Sequence, residues 1–167
     1  MPALYPQVER LRVARDRLVR LRSKVELSPD PPEDSPRTRE WVARETLAHI
    51  VEMIPYWQGE IERILAGPGD SVPFGRAPTD LVRILTVDRD RTLPVAELYL
   101  RLDHSIERIV RRLLELDDRQ CARRGIHRTR GDMTVRQVVD EMLADHLERH
   151  CDQMAAALET AQGSRGS

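Results

Sequence analysis

Apolar residues in this chain return at helical spacing in four separate stretches and alternate like a strand in none. Val8, Leu11, Leu18, Leu21 and Val25 fall on one face of a helix. So do Val42, Thr46, His49, Met53, Trp57 and Ile64, then Val95, Leu98, Leu102, Ile106, Ile109 and Leu113, and finally Val135, Val139, Met142, His146, His150 and Met154. A helix with one apolar face has to bury it against another such face. Four of them in 167 residues therefore predict an all-α fold, a four-helix bundle with no strand. The breaks are rich in turn formers: "SPDPPEDSP", "AGPGDSVPFGRAPTD" and "RRGIHRTRGDMT". The second of these is a long connection between helices two and three, and "PTDLVRIL" at its end predicts a short extra helix begun by Thr79. Pro55 should kink the second helix. Thr134 and Gln137 form a capping box for the fourth, which ends near Gly163. Residues 1–162 thus read as a single domain, and 163–167 as a disordered tail.

Two histidines stand in the inward stripe of the last helix. His146 and His150 are four residues apart, about 40° on the helical wheel, so they stack on the face that carries Val139 and Met142. A zinc-protease HExxH needs its glutamate directly after the first histidine. Glu148 comes two residues after His146, about 200° around the helix, and faces away. Burying two imidazoles without partners costs about 1–3 kcal/mol each, so something must satisfy them. His49 supplies a third inward imidazole from the second helix. Side chains on facing helices are a common way to build a metal centre in a bundle. HxxxH plus one further histidine gives three nitrogens and leaves positions open for water or substrate. Carboxylate-bridged diiron sites need Glu-x-x-His pairs, and none is present. His104 lies off its apolar stripe and His127 falls in a loop, so both are expected to be solvated; Cys151, about 140° from His146, points elsewhere.

Charge excludes some partners. Lys and Arg total 27 against 28 acidic residues, a net charge of −1 that gives no general reason to expect nucleic acid or an anionic membrane. The arginines of the first helix, Arg10, Arg12, Arg15, Arg17, Arg20 and Arg22, surround it, alternate with Glu9 and Asp16, and lack aromatic stacking partners, as a solvated, salt-bridged face does. No stretch is long and apolar enough for a signal peptide core or a membrane span. Cys121 and Cys151 make neither a disulfide framework nor a metal knuckle. Cytoplasmic location is the expectation.

With these histidines in this order, the chain resembles the DinB-like (DinB/YfiT) superfamily of metal-dependent enzymes. That family's second helix follows a pattern like W-S-x-x-E-x-L-x-H, and "WVARETLAHI" supplies Trp41, Glu45, Leu47 and His49. Its last helix follows a pattern like G-x-x-T-V-x-x-x-L-x-x-x-x-x-H-x-x-x-H-x-x-Q, nearly all of which is found in "GDMTVRQVVDEMLADHLERHCDQM". Val42 stands where the family usually has a serine that caps the helix, which predicts an earlier start, at Ser35 with Pro36 in the first turn. The resemblance implies a bundle, commonly a homodimer, with a divalent metal such as zinc or nickel on His49, His146 and His150.

Two classes of function follow. In the first, the protein is a metal-dependent enzyme acting on a small molecule: a transferase, isomerase or hydrolase, with a low-molecular-weight thiol as co-substrate in relatives that look alike. In the second it is a non-catalytic metal-binding or stress-response module. Glu45, one turn before His49, is the candidate catalytic base or ring-orienting residue, and Glu52 a second of the same kind. The loop around Phe74, Gly75 and Arg76 is expected to shape the substrate pocket. Ordinary histidines would let metal affinity fall as pH drops through roughly 6.5.

Overall fold

The computed structural model describes residues 1–34 and 40–163, and they are mostly helical. Four long helices form the core. α1 (Tyr5–Glu26) packs on α4 (Val95–Leu114) and on α7 (Asp145–Gly163), and α2 (Ala43–Ala66) packs on the same two. Each buries the expected stripe: Val8, Leu11 and Leu18 from α1, and Leu98, Leu102, Ile106 and Ile109 from α4, all nearly solvent-free. α2 is the most central, burying Leu47, Ile50, Met53, Ile54, Ile61 and Ile64, and it runs through Pro55 without ending. Tyr99 crosses the core to donate its hydroxyl to the Leu18 carbonyl at 2.7 Å. Among the described residues no helix is long and apolar enough to cross a membrane.

The connections depart from the sequence expectation. A small sheet is present: β1 (Val72–Phe74) pairs in parallel with β2 (Arg124–His127), which pairs antiparallel with β3 (Gly131–Thr134). Strands this short carry too few residues for alternation to register. What marks them instead is the glycines. Gly75 sits at φ +81°, and a Cβ there would lie 2.2 Å from the His127 ring, so only glycine lets β1 pass so close to β2. The short helix in the long connection is present as α3 (Leu81–Asp90), but Asp80 caps it, accepting the Arg83 N–H at 3.0 Å, in place of Thr79. A further short helix, α5 (Asp118–Ala122), precedes β2.

The start of α2 also differs. Ser35 and Pro36 lie outside the described residues, but Trp41 and Val42 are non-helical and the helix opens at Ala43. The missing serine is offset from the other side: Glu45 accepts the Val42 N–H at 3.0 Å, the half of a capping box that needs no side-chain acceptor at the cap. The last helix starts as expected. Thr134 accepts the Gln137 N–H at 3.1 Å and Gln137 reaches back to Thr134, opening the short α6 (Val135–Gln137). Between α6 and α7, however, Val138–Ala144 forms a π-helical segment. Its wider turn buries Val138, Val139, Met142, Leu143 and Ala144 together, a broader face than an α-helix offers, just before the first histidine of α7.

Candidate metal centre

His49 from the second turn of α2 meets His146 and His150 from successive turns of α7. Their potential ligand atoms all lie within 4.8 Å of one another. Ring centroids are 4.6 Å apart for His146 and His150, 4.7 Å for His49 and His150, and 5.5 Å for His49 and His146. Trp41 walls off the far side of His49, its ring edge-on at 5.0 Å.

The hydrogen bonding leaves nitrogen lone pairs without partners. Neither ring nitrogen of His49 has a hydrogen-bond partner although the residue is 1% exposed, and His150 Nε2 is likewise buried and unpaired. Gln153 Oε1 lies 2.9 Å from His150 Nδ1, so a neutral ring donates its proton there and keeps Nε2 as a lone pair. Glu52 Oε2 stands 3.5 Å from His49 Nδ1, beyond a normal hydrogen bond but on the side that would hold that proton. Ring nitrogens stripped of water and turned toward one another are expensive to leave empty. A divalent ion is the group that three neutral imidazoles fit, and these three could hold one.

Electrostatics keeps the rings neutral. Burial pushes the His146 pKa down to about 3, helped by the neighbouring His150 and His49, and pushes that of His150 down to about 4. His49 is lowered too, burial outweighing the pull of Glu52. Arg83 adds positive charge near all three. Burial works against ionisation of Glu52, but His49 and Arg76 outweigh it and hold its carboxyl below the usual range. Arg76 grips that carboxylate with both ends, Nη2 to Oε2 at 2.7 Å, while its guanidinium lies 3.9 Å from the Tyr56 ring.

A pocket of about 240 Å³ opens beside the histidines. His49 and His146 contribute to its wall, with Trp57, Arg83 and His127 among the other lining residues. The long connection supplies Arg76, Ala77 and Pro78, so the loop expected to shape the pocket does so. His127 corrects the sequence reading. It is 4% exposed on β2, stacked on Trp57 with ring centroids 6.0 Å apart and edge-on to Phe74, and is not solvated. His104 is exposed on α4, as expected. Cys151 is buried with its thiol toward the Ala14 carbonyl, away from the site. Glu148 is held by Arg10 of α1 at 2.7 and 2.8 Å, which accounts for its facing away from the histidines.

Glu45 is placed elsewhere. It is fully buried, accepting from Val42 N–H and from Arg91 Nη1 at 3.0 Å, and it is not one of the three clustered ligand residues. Two groups that touch the histidines were underweighted in the sequence, Glu52 and Gln153. Both carry a signal that was there to be read, since each stands three residues after a ligand histidine and so on its own helix face.

A family model described as the DinB superfamily matches residues 10–154, most of the chain and all three histidines. No curated protein and no solved structure gives a match.

Proposed function

The chain belongs to the DinB superfamily, and from that premise we propose that it is a metal-dependent enzyme acting on a small molecule, with His49, His146 and His150 holding one divalent ion. The observation that carries the proposal is the convergence of three neutral imidazoles, His49 buried and His146 and His150 half-buried, with His49 and His146 on the wall of an open pocket. A purely structural ion would be closed off by a fourth protein ligand. Zinc or nickel suits an all-imidazole donor set. When bound, such an ion supplies a Lewis acid that makes a thiol or a water nucleophilic near neutral pH.

The chain's own residues prepare the site. Gln153 fixes the tautomer of His150, so that Nε2 faces the centre. Glu52, itself held by Arg76 of the pocket wall, stands on the Nδ1 side of His49 and takes the ring-orienting role expected of Glu45. Glu45 is then a positioning residue: through Val42 and Arg91 it anchors the start of the helix that carries His49. Trp41, edge-on to His49, restricts water around that ring, while Trp57 and His127 stack on each other in the pocket wall. A low-molecular-weight thiol is the co-substrate this reading favours, because thiolate sulfur binds zinc well.

Free, buried Cys121 and Cys151 fit a reducing, cytoplasmic setting, and the exposed Leu81, Val82 and Leu85 of α3 suit a homodimer. The test is elemental analysis of the purified protein, followed by assay of the metal-loaded form with thiols and electrophilic small molecules. Stoichiometric metal with thiol transfer or isomerisation supports the enzyme. Stoichiometric metal with no turnover of any thiol or hydrolysable substrate would leave a non-catalytic module as the better account.

A further inference from the structure

We propose that the pocket beside the three histidines binds an anionic group of the substrate, a carboxylate or a phosphate, and that Arg83 pairs with it. This deepens the enzymatic reading and rests on it for what the substrate does next. The charge and hydrogen-bonding character of the pocket, however, are properties of the protein alone.

Four arginines line this one small pocket: Arg76, Arg83, Arg130 and Arg149. Two of them are already neutralised. Arg76 is held by Glu52, and Arg130 pairs with Glu141 at 3.0 Å. Arg83 and Arg149 have no carboxylate within ion-pair distance among the described residues. Exposed Arg149 pays little for that. Arg83 is different, because it is partly buried, with its Nε inaccessible to water and without a partner. Among the described residues its guanidinium makes one hydrogen bond, from Nη2 to the Pro78 carbonyl, and the Trp41 ring lies 5.7 Å from its guanidinium carbon. Glu52 and Asp80 act on this half-buried guanidinium only from beyond ion-pair distance, and burial together with Arg76 outweighs them, so an anion that pairs with it directly is favoured.

The neutral groups agree. Trp57 Nε1 is buried without a partner and is only ever a donor. His127 Nδ1 accepts the Thr129 N–H at 3.2 Å, so in the neutral ring the proton is on Nε2, which is also buried and unpaired. Apart from the metal-site rings, every buried, unpartnered polar atom on the described pocket wall is therefore a donor: Trp57 Nε1, His127 Nε2 and Arg83 Nε. Such a wall accepts oxyanions and rejects amines. A divalent ion on three neutral imidazoles would add two positive charges, and the nearby carboxylate, Glu52, is committed to Arg76. A substrate that brings negative charge balances both.

Calorimetric titration with inorganic phosphate and with succinate tests this, in metal-free and in zinc-loaded protein, alongside the indole N–H resonance of Trp57 in heteronuclear spectra. We expect at least one anion to bind both forms, more tightly with zinc, and to shift that resonance. Arg83→Gln should weaken binding by about tenfold, the loss of one charge-assisted hydrogen bond. Arg149→Gln, at an exposed position that cannot compromise folding, should weaken it by a smaller factor, and Arg108→Gln, on α4 and outside this pocket's wall, should change nothing. Which anion binds better tells carboxylate from phosphate. Zinc bound with no heat and no shift from either anion would overturn the inference and leave the metal site standing. So would anion binding indifferent to both Arg83 and Arg149, which would put the anion on the metal alone. Failure of zinc to bind, with Arg83-dependent anion binding intact, would remove the metal reading and keep this one.

Discussion

The metal-free protein should be unusually sensitive to mild acid, and the size of the effect can be worked from two histidines. In the unfolded chain His146 and His150 titrate near 6.5; in the folded protein burial and mutual repulsion hold them at about 3 and about 4. Both folded values are depressed, so between these limits the unfolded state binds more protons and acid favours it. Stability from the pair is complete above pH 6.5 and is lost as pH falls towards about 4. Taking the protein from pH 7 to pH 5 should remove about 2 kcal/mol for each ring, about 4 kcal/mol together, a large part of the stability of a domain of this size. Urea unfolding in the presence of a chelator, followed by far-ultraviolet circular dichroism at several pH values, measures this. The double variant His146→Gln, His150→Gln keeps the bulk but cannot titrate, and should lose about 4 kcal/mol of the pH dependence while other groups keep theirs. A double variant as acid-sensitive as the parent would refute the argument. The same depression corrects the expectation from ordinary histidines: the rings are already neutral at pH 5 to 6, so metal affinity should stay nearly flat through 6.5 and fall only near pH 4.

Other perturbations separate the parts of the site. His146→Ala should abolish stoichiometric zinc, measured by elemental analysis, while His104→Ala on the exposed face of α4 retains it; metal in the first variant would sink the three-histidine assignment. Glu52→Gln and Gln153→Ala should each weaken zinc binding about 10- to 100-fold by freeing a ligand ring to rotate, with unaltered calorimetric affinity counting against their positioning roles. Gly75→Ala should cost about 2–4 kcal/mol, because a side chain at positive φ would also collide with His127; a denaturant midpoint equal to the parent's would show that β1 can move away. Light scattering should give a mass near twice 19.3 kDa, and a monomer at micromolar concentration would remove the homodimer from the proposal.

What the sequence made legible was whatever repeats locally. The four stripes of apolar residues are local patterns, and each is buried where its period put it: Leu102 and Ile106 on α4, Leu11 and Leu18 on α1. The histidines followed from the same periodicity, since His49, His146 and His150 occupy stripe positions that a leucine would otherwise fill. His127 was illegible for the opposite reason. Its burial depends on β2 pairing with β1, fifty residues earlier in the chain, through a contact that only the glycine at 75 permits. No window around "GIHRTRG" contains that information. Glu45 has partners that the helical wheel does not announce. One helical turn from His49 it looked close to the site, but it sits at the third position of α2, where the uncapped N–H of Val42 and the buried guanidinium of Arg91 claim its carboxylate first. Helix ends compete for carboxylates, and a wheel drawn for the helix interior does not show it.

The π-helical segment shows how a locally unfavourable element can be held by contacts that its own sequence does not announce. A π-turn between Val138 and Ala144 is costly in isolation, yet α1 fastens it from outside: Gln7 donates to Asp140 at 3.0 Å, and Arg10 spans from Asp140 to Asp145 and Glu148. Those partners flank the segment on both sides of its last turn. They hold the backbone on either side of the point where α7 begins, just ahead of His146 and His150. The arginine-rich α1 is thus tied, through Gln7 and Arg10, to the segment that leads into two of the three ligand residues. Arg10 makes this link through three acidic groups at once, so a change there would reach the histidines through the backbone without touching them.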